Sequence, residues 1–334
     1  MKKLLKQLTE TFAPSGYEEN VRKLVRAEVK PFADEIKVDA LGNLIVRKKP
    51  AKATKDTKKI MIAAHMDEIG LIVSHVDENG FARFSPLGGV FRRYVVGGRV
   101  QFLNGVQGVI GYDRIDNLNE LPTLDKVYID VGATSKKDCP VKVGDVAAFD
   151  RPFVEMGDRL VAKSMDDRAG VLVAIETLRA LKSTLHDVYF VFTTQEEVGT
   201  RGAATSAYGV NPDIGIALDV TSSGDTPNTI KMEMVLGKGP CIKIQDASSI
   251  SDPRIVQWMI RTAEKNKIPY QREVLLFGGT DARAIQLTRA GVPAGCISIP
   301  LRYVHSPSEM LDISDLKNSV KLLTVLLRTP IDLG

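Results

Sequence analysis

Apolar positions near the N-terminus recur every three or four residues, which predicts helices over 2–12 and 18–30. The second is carried by Val21, Leu24, Val25 and Val29. Pro14, Ser15 and Gly16 break the chain between them, with Ser15 as the expected cap of the second helix. Short strands are predicted at 36–38 and 44–46, joined by Leu41-Gly42-Asn43. KIMIAAH, residues 59–65, is a continuous apolar run bounded by charge, the pattern of a strand buried on both faces.

From about residue 70 to 160 the pattern changes. Short β-prone runs (GLIVSHV, FARFSPLGG, RVQFLNGVQGVIGY, KVYIDVG, VGDVAAF) alternate with Gly, Pro and Asn turns, and helical periodicity is almost absent. This predicts an all-β, barrel-like domain over 69–160, inserted into a discontinuous domain made of 1–68 and 161–334. An α/β rhythm then returns. Strands are expected at LVAKSM (160–165), DVYFVFTT (187–194), IGIALDV (214–220) and PAGCISI (293–299). Helices are expected at 168–182, from Gly202, at 253–265, from Asp281 and at 313–327. Alternating strands and helices imply a largely parallel sheet covered on both faces, an α/β fold of three layers.

Composition narrows the class. The 334 residues suffice for a well-buried core, and 44% hydrophobic with 26% charged residues is a globular balance that excludes disorder. A net charge of +4 gives no nucleic-acid or anionic-membrane surface. The lysines of KKPAKATKDTKK (48–59) have no aromatics or arginines among them and read as a solvated loop. Cys139, Cys241 and Cys296 are far apart and form no CxxC, so neither a disulfide framework nor a thiolate zinc site is expected. No run approaches the roughly 20 apolar residues that cross a bilayer. Lys6, Thr9, Glu10 and Thr11 interrupt the leucines of the first segment, making it an amphipathic helix rather than a signal peptide. A cytoplasmic protein is expected.

The candidate chemistry lies at strand ends, where open α/β sheets bind ligands. KIMIAA runs into His65-Met66-Asp67, LVAKSM into Asp166-Asp167, and VYFVFTTQ into Glu196-Glu197, while IGIALDV contains Asp219. A cysteine-free set of imidazoles and carboxylates suits zinc, cobalt or manganese. An excess of carboxylates over histidine favours two ions sharing a bridging group. Asp67 has the position to accept the second ring N–H of a ligating His65. Of Glu196 and Glu197, neighbours on a strand end, one can bind metal while the other faces a bound water as general base. Of the four histidines, His75 and His186 have no acidic motif around them and read as structural.

The segments AAHMDEIG, KSMDDRAG, TTQEEVGTRGA, ALDVT, FGGTDA and YVHSPSE resemble, in order and spacing, those of the TET or deblocking aminopeptidases. That group, metallopeptidase family 42, includes glutamyl aminopeptidases, and the resemblance spans essentially the whole chain. It implies a zinc-exopeptidase-like α/β/α domain with an inserted barrel-like domain, and two divalent ions per subunit. His65 and Asp219 would bind different ions, Asp166 would bridge both, Glu197 would complete one shell and His305 the other. Glu196 would be the general base and Asp67 the orienter of His65. The resemblance also implies a cis Asp166–Asp167 peptide, a pocket shaped in part by Thr280 and Asp281, and short peptides as substrate. Self-assembly is implied as well, typically into a dodecamer. Two rival classes are a metal-independent, cellulase-like glycoside hydrolase, which needs only two carboxylates, and a non-catalytic scaffold.

Overall fold

The computed structural model describes residues 1–117 and 119–333. Helices α1 (Lys2–Glu10) and α2 (Glu19–Val29) bury Leu4, Leu5 and Leu8, and Val21, Val25 and Val29 respectively. Strands β1 (Glu35–Val38), β2 (Leu44–Lys48) and β3 (Lys59–His65) follow. Ser15 does not cap α2. Its hydroxyl instead donates to Asp67 Oδ2 at 2.6 Å, and α2 opens at Glu18.

The chain then leaves the sheet for a closed barrel. Its strands are β4 (Gly70–Val76), β5 (Ala82–Leu87), β6 (Arg99–Phe102), β7 (Gln107–Tyr112), β8 (Val127–Asp130) and β9 (Val146–Phe149), with a short helix α3 (Arg92–Val95). Closure leaves no open sheet edge. Leu71, Val73, Val100, Phe102, Ile110 and Ile129 fill the interior, so the barrel has a core of its own.

Strands β10 (Val154–Met156) and β11 (Arg159–Ala162) return the chain to the main body, followed by α4 (Met165–Ala180) and β12 (Asp187–Thr193). Next come α5 (Arg201–Val210), β13 (Ile214–Ser222), β14 (Cys241–Gln245), α6 (Pro253–Lys265) and β15 (Gln271–Val274). The chain closes with α7 (Asp281–Gln286), β16 (Ala294–Leu301), β17 (Glu309–Asp312) and α8 (Ile313–Arg328). The main sheet has the order β1-β2-β12-β3-β13-β16-β14-β15. Its centre is parallel from β12 through β3 and β13 to β16, while β2 and β14 join antiparallel. The alternating pattern thus predicts the parallel core but not the reversed flanks.

One expected strand lies in a different sheet, and β10, β14, β15 and β17 are strands the pattern does not predict. The run from Leu160 does not join the main sheet. Strand β11 pairs with β10 and β17 in a small sheet of three, and the chain turns at Lys163 and Ser164 into α4. Lys163 and Ser164 are drawn to the buried Glu68 carboxylate, which ends the strand early. Asp166 therefore stands at the head of a helix and not at a strand end of the main sheet.

Candidate active site

Register in the parallel core brings the site residues together. Thr193 of β12 lies opposite His65 of β3, so Glu196 and Glu197 emerge just beyond that level. Ala217 of β13 pairs with Ala63, which sets Asp219 level with His65 on the other flank. Asp166 arrives from below at the start of α4, preceded by αL Ser164 and followed by a cis peptide to Asp167. His65, Asp166, Asp167 and Asp219 are all buried.

Asp166 is the centre of the cluster. Its Oδ1 lies 3.0 Å from His65 Nε2, and its Oδ2 lies 3.3 Å from His305 Nε2. His305 Nε2 is also 3.3 Å from Glu197 Oε2. His65, Asp166 and Glu197 each offer a ligand atom within 4.8 Å of one another. Asp219 makes no direct contact with these groups. Its carboxylate accepts from the Val220 N–H at 2.7 Å.

The far nitrogen of each imidazole faces a carbonyl. His65 Nδ1 lies 3.2 Å from the Asp67 carbonyl oxygen, and His305 Nδ1 lies 2.9 Å from the Gly89 carbonyl oxygen. A carbonyl only accepts, so Nδ1 is the donor in both rings and Nε2 is the nitrogen turned inwards, able to offer a lone pair once a cation displaces its proton. The Asp67 carboxylate is a little further from His65 Nδ1, at 3.5 Å. Besides the Ser15 hydroxyl, it holds backbone: Oδ1 accepts from Glu196 N at 2.9 Å and Oδ2 from Glu197 N at 3.2 Å. Asp67 thus fixes the turn that presents both glutamates as well as standing beside His65.

So many acids in one dry place shift one another. Burial drives Glu196, Asp219 and Asp167 well above the carboxylate range, with neighbouring carboxylates adding to it. Burial also raises Glu197, to about 7, against the pull of His305. His305 is opposed by burial, yet Glu197 and Asp166 hold it up at about 10. Asp166 stays below its usual range, because hydrogen bonds to His305 and His65 outweigh burial. Glu197 Oε1 is buried without a hydrogen-bond partner among the described residues. Buried carboxylates with an orphan oxygen and two inward-facing imidazole nitrogens are a donor set that divalent cations satisfy, displacing the ring protons.

Three supporting residues escaped the sequence reading. Glu309 accepts from Asp166 N at 3.0 Å and from His305 N at 2.7 Å, tying two arms of the site together. It lies four residues after His305 within YVHSPSE, the one signal that pointed to it. Gly89, from the barrel, supplies the carbonyl for His305, and a Cβ there would sit 2.5 Å from His305 Nδ1. Glu68 accepts from Ala13 N at 2.9 Å and from Lys163 Nζ at 2.5 Å, joining the floor beneath the site. Thr280 does not line the site: its hydroxyl caps α7 by accepting from Ala282 N at 3.2 Å. Asp281 is buried behind it and accepts from Thr193 Oγ1 at 2.5 Å. From that segment Phe277, Gly278, Gly279 and Arg283 reach the cleft instead. His75 is exposed on β4, away from the cluster, and His186 Nε2 donates to the Thr329 carbonyl at 3.0 Å.

The cluster opens onto a cleft of about 760 Å³. Asp166, Glu196, Asp219 and His305 form its floor, and Phe91 and Tyr94 of the barrel form one wall. The sequence profile of the M42 glutamyl aminopeptidase family matches residues 42–322. A lysyl aminopeptidase of Pyrococcus furiosus is 35% identical over 97% of this chain and 96% of its own length. An aminopeptidase structure from Desulfurococcus kamchatkensis superposes with a TM-score of 0.93 at 43% identity, over 98% of this chain and 94% of that one. The TET1 peptidase of Pyrococcus horikoshii, described as assembling into a tetrahedron or a large octahedral shell, gives 0.87 at 34% identity over 98% and 99%.

Proposed function

We propose a two-metal mechanism for this chain, which belongs to the M42 glutamyl aminopeptidase family. The observation that carries it is Asp166, whose two carboxylate oxygens face two different imidazoles. In this reading His65 and Asp219 would hold one ion, Glu197 and His305 would hold the other, and Asp166 would serve both. When bound, the pair supplies Lewis-acid polarisation of the scissile carbonyl and lowers the pKa of a water towards neutrality. Zinc or cobalt suits these donors best, with manganese next.

The residues of the chain then do the proton work. Glu196 lines the cleft beside Asp219, and bound cations would offset the burial that otherwise keeps its carboxyl protonated, leaving it ionised as a base. It takes the water proton and returns it to the leaving amine. Asp67 fixes the Glu196 backbone and stands beside His65, so the base and one ligand keep a common frame. The carboxylate-rich floor anchors the free α-amino group of a short peptide, which makes the reaction an N-terminal trimming (EC 3.4.11). The substrate residue at that terminus is set by the cleft walls.

Residues 69–160 form, in this proposal, an insertion into a catalytic domain of 1–68 and 161–334, with a role in self-assembly. A homo-oligomer, expected as a dodecamer, is supported as far as self-assembly goes by the tetrahedron or octahedral shell named for the Pyrococcus horikoshii peptidase. No helix among the described residues is long and apolar enough to cross a membrane. Three free cysteines fit the reducing cytoplasm. Aminoacyl p-nitroanilides test the reading directly. Turnover should vanish with EDTA and return with added zinc or cobalt, whereas chelator-resistant turnover would overturn the metal mechanism.

A further inference from the structure

The cations around the cleft are not equivalent. Lys243 is ion-paired to Glu273, and Arg302 holds Asp225 through Nε at 2.9 Å and through its second nitrogen at 2.7 Å. Arg93 has no carboxylate partner among the described residues and is exposed. Its guanidinium lies over two rings, 4.8 Å from the Phe91 centroid and 4.9 Å from that of Tyr94. Such stacking holds the planar fork in place while its N–H groups stay free.

Phe91 ties that guanidinium to the reaction centre. Its ring centroid lies 5.9 Å from that of His305. The two contacts laid end to end put Arg93 at most about 11 Å from the His305 ring, and an extended peptide advances roughly 3.3–3.6 Å per residue, so about three residues span the gap. An exposed aromatic ring, 44% accessible in Phe91, paves the path between them.

From this geometry we infer that Arg93 is the receptor for the C-terminal carboxylate of a tripeptide-sized substrate whose N-terminus lies at the metal site. A guanidinium meets a carboxylate with two parallel charge-assisted hydrogen bonds, and a C-terminal amide forfeits the charge. Peptides near three residues in length thus gain a contact that single-residue esters and anilides cannot make. The inference rests on the aminopeptidase reading above. Arg283, on α7 in another part of the cleft wall, is the competing cation.

The test compares kcat/KM for a tripeptide and its C-terminal amide, with the N-terminal residue chosen from the best aminoacyl p-nitroanilide. The wild type should prefer the free acid about tenfold, mostly through KM, the size of one charge-assisted contact near solvent. Arg93→Gln and Arg93→Ala, each checked by thermal melting, should bring the ratio to about one, and Arg93→Lys should keep part of it. Equal rates on acid and amide in the wild type would overturn the inference. So would a ratio that survives both Arg93 variants, or one abolished only by Arg283→Ala. Loss of p-nitroanilide turnover in the wild type would instead overturn the aminopeptidase reading itself.

Discussion

At the scale of single residues, the proposed mechanism divides ligation from proton transfer. Glu196→Gln removes a base and no ligand, so metal content should stay at the wild-type level while kcat falls at least about a hundredfold. Metal analysis beside steady-state kinetics checks both halves. Gly89 makes a second, sharper case. Its missing side chain lets its carbonyl approach His305 Nδ1, and an added methyl would collide with that ring. Gly89→Ala should therefore weaken metal retention and lower kcat, with little change in thermal stability of the chelated protein. Dialysis against a graded chelator series measures the first effect. Sequence alone pointed to His65, Asp166, Glu197 and Asp219, because each follows or ends an apolar run. His305 had no such run: it sits at a φ of 60° on a turn after β16, where no periodicity signals a site. Gly89 lies in another folding unit altogether, and only closure of the barrel against the sheet brings it near.

At the scale of elements, the central strands follow from their patterns. Fully buried β3 and β13 read as continuous apolar runs, as strands covered on both faces must. Strand β11 could not be assigned to its sheet from pattern, since three apolar residues pair equally well with any neighbour. The ion pair that steadies the cleft's edge offers a measurable consequence. Arg302 of the segment after β16 grips Asp225 after β13, and although burial opposes ionisation, this grip holds the Asp225 carboxyl down at about 2. A depressed folded-state pKa gives stability that is present above about 4, the unfolded value, and lost as pH falls through about 2. Asp225→Asn should accordingly melt below wild type at pH 6, with the gap between the two closing as pH drops from 4 to 2. A gap constant across that window would mean the pair adds nothing through charge.

At the scale of the whole molecule, the barrel completes the active site. Its loop after β5 supplies the His305 carbonyl partner, and α3 supplies the aromatic wall carrying Arg93. The change in texture near residue 70 announces the barrel, but nothing in that texture says it would lean on the His65–Asp166–His305 cluster. The cluster also bears on stability, because buried carboxylates facing one another are left uncompensated when cations are withdrawn. Chelation should lower the melting temperature reversibly, and scanning calorimetry with zinc restored would read the recovery. In solution, light scattering should give a mass many times that of one chain; a monomer mass would remove the assembly from the proposal.

The central claim is a pair of ions bridged by Asp166, and metal stoichiometry tests it most directly. Chelated protein dialysed to equilibrium against zinc should hold about two ions per chain by elemental analysis, and Asp166→Ala should hold fewer than one. A single ion in the wild type, or two retained without Asp166, would contradict the account.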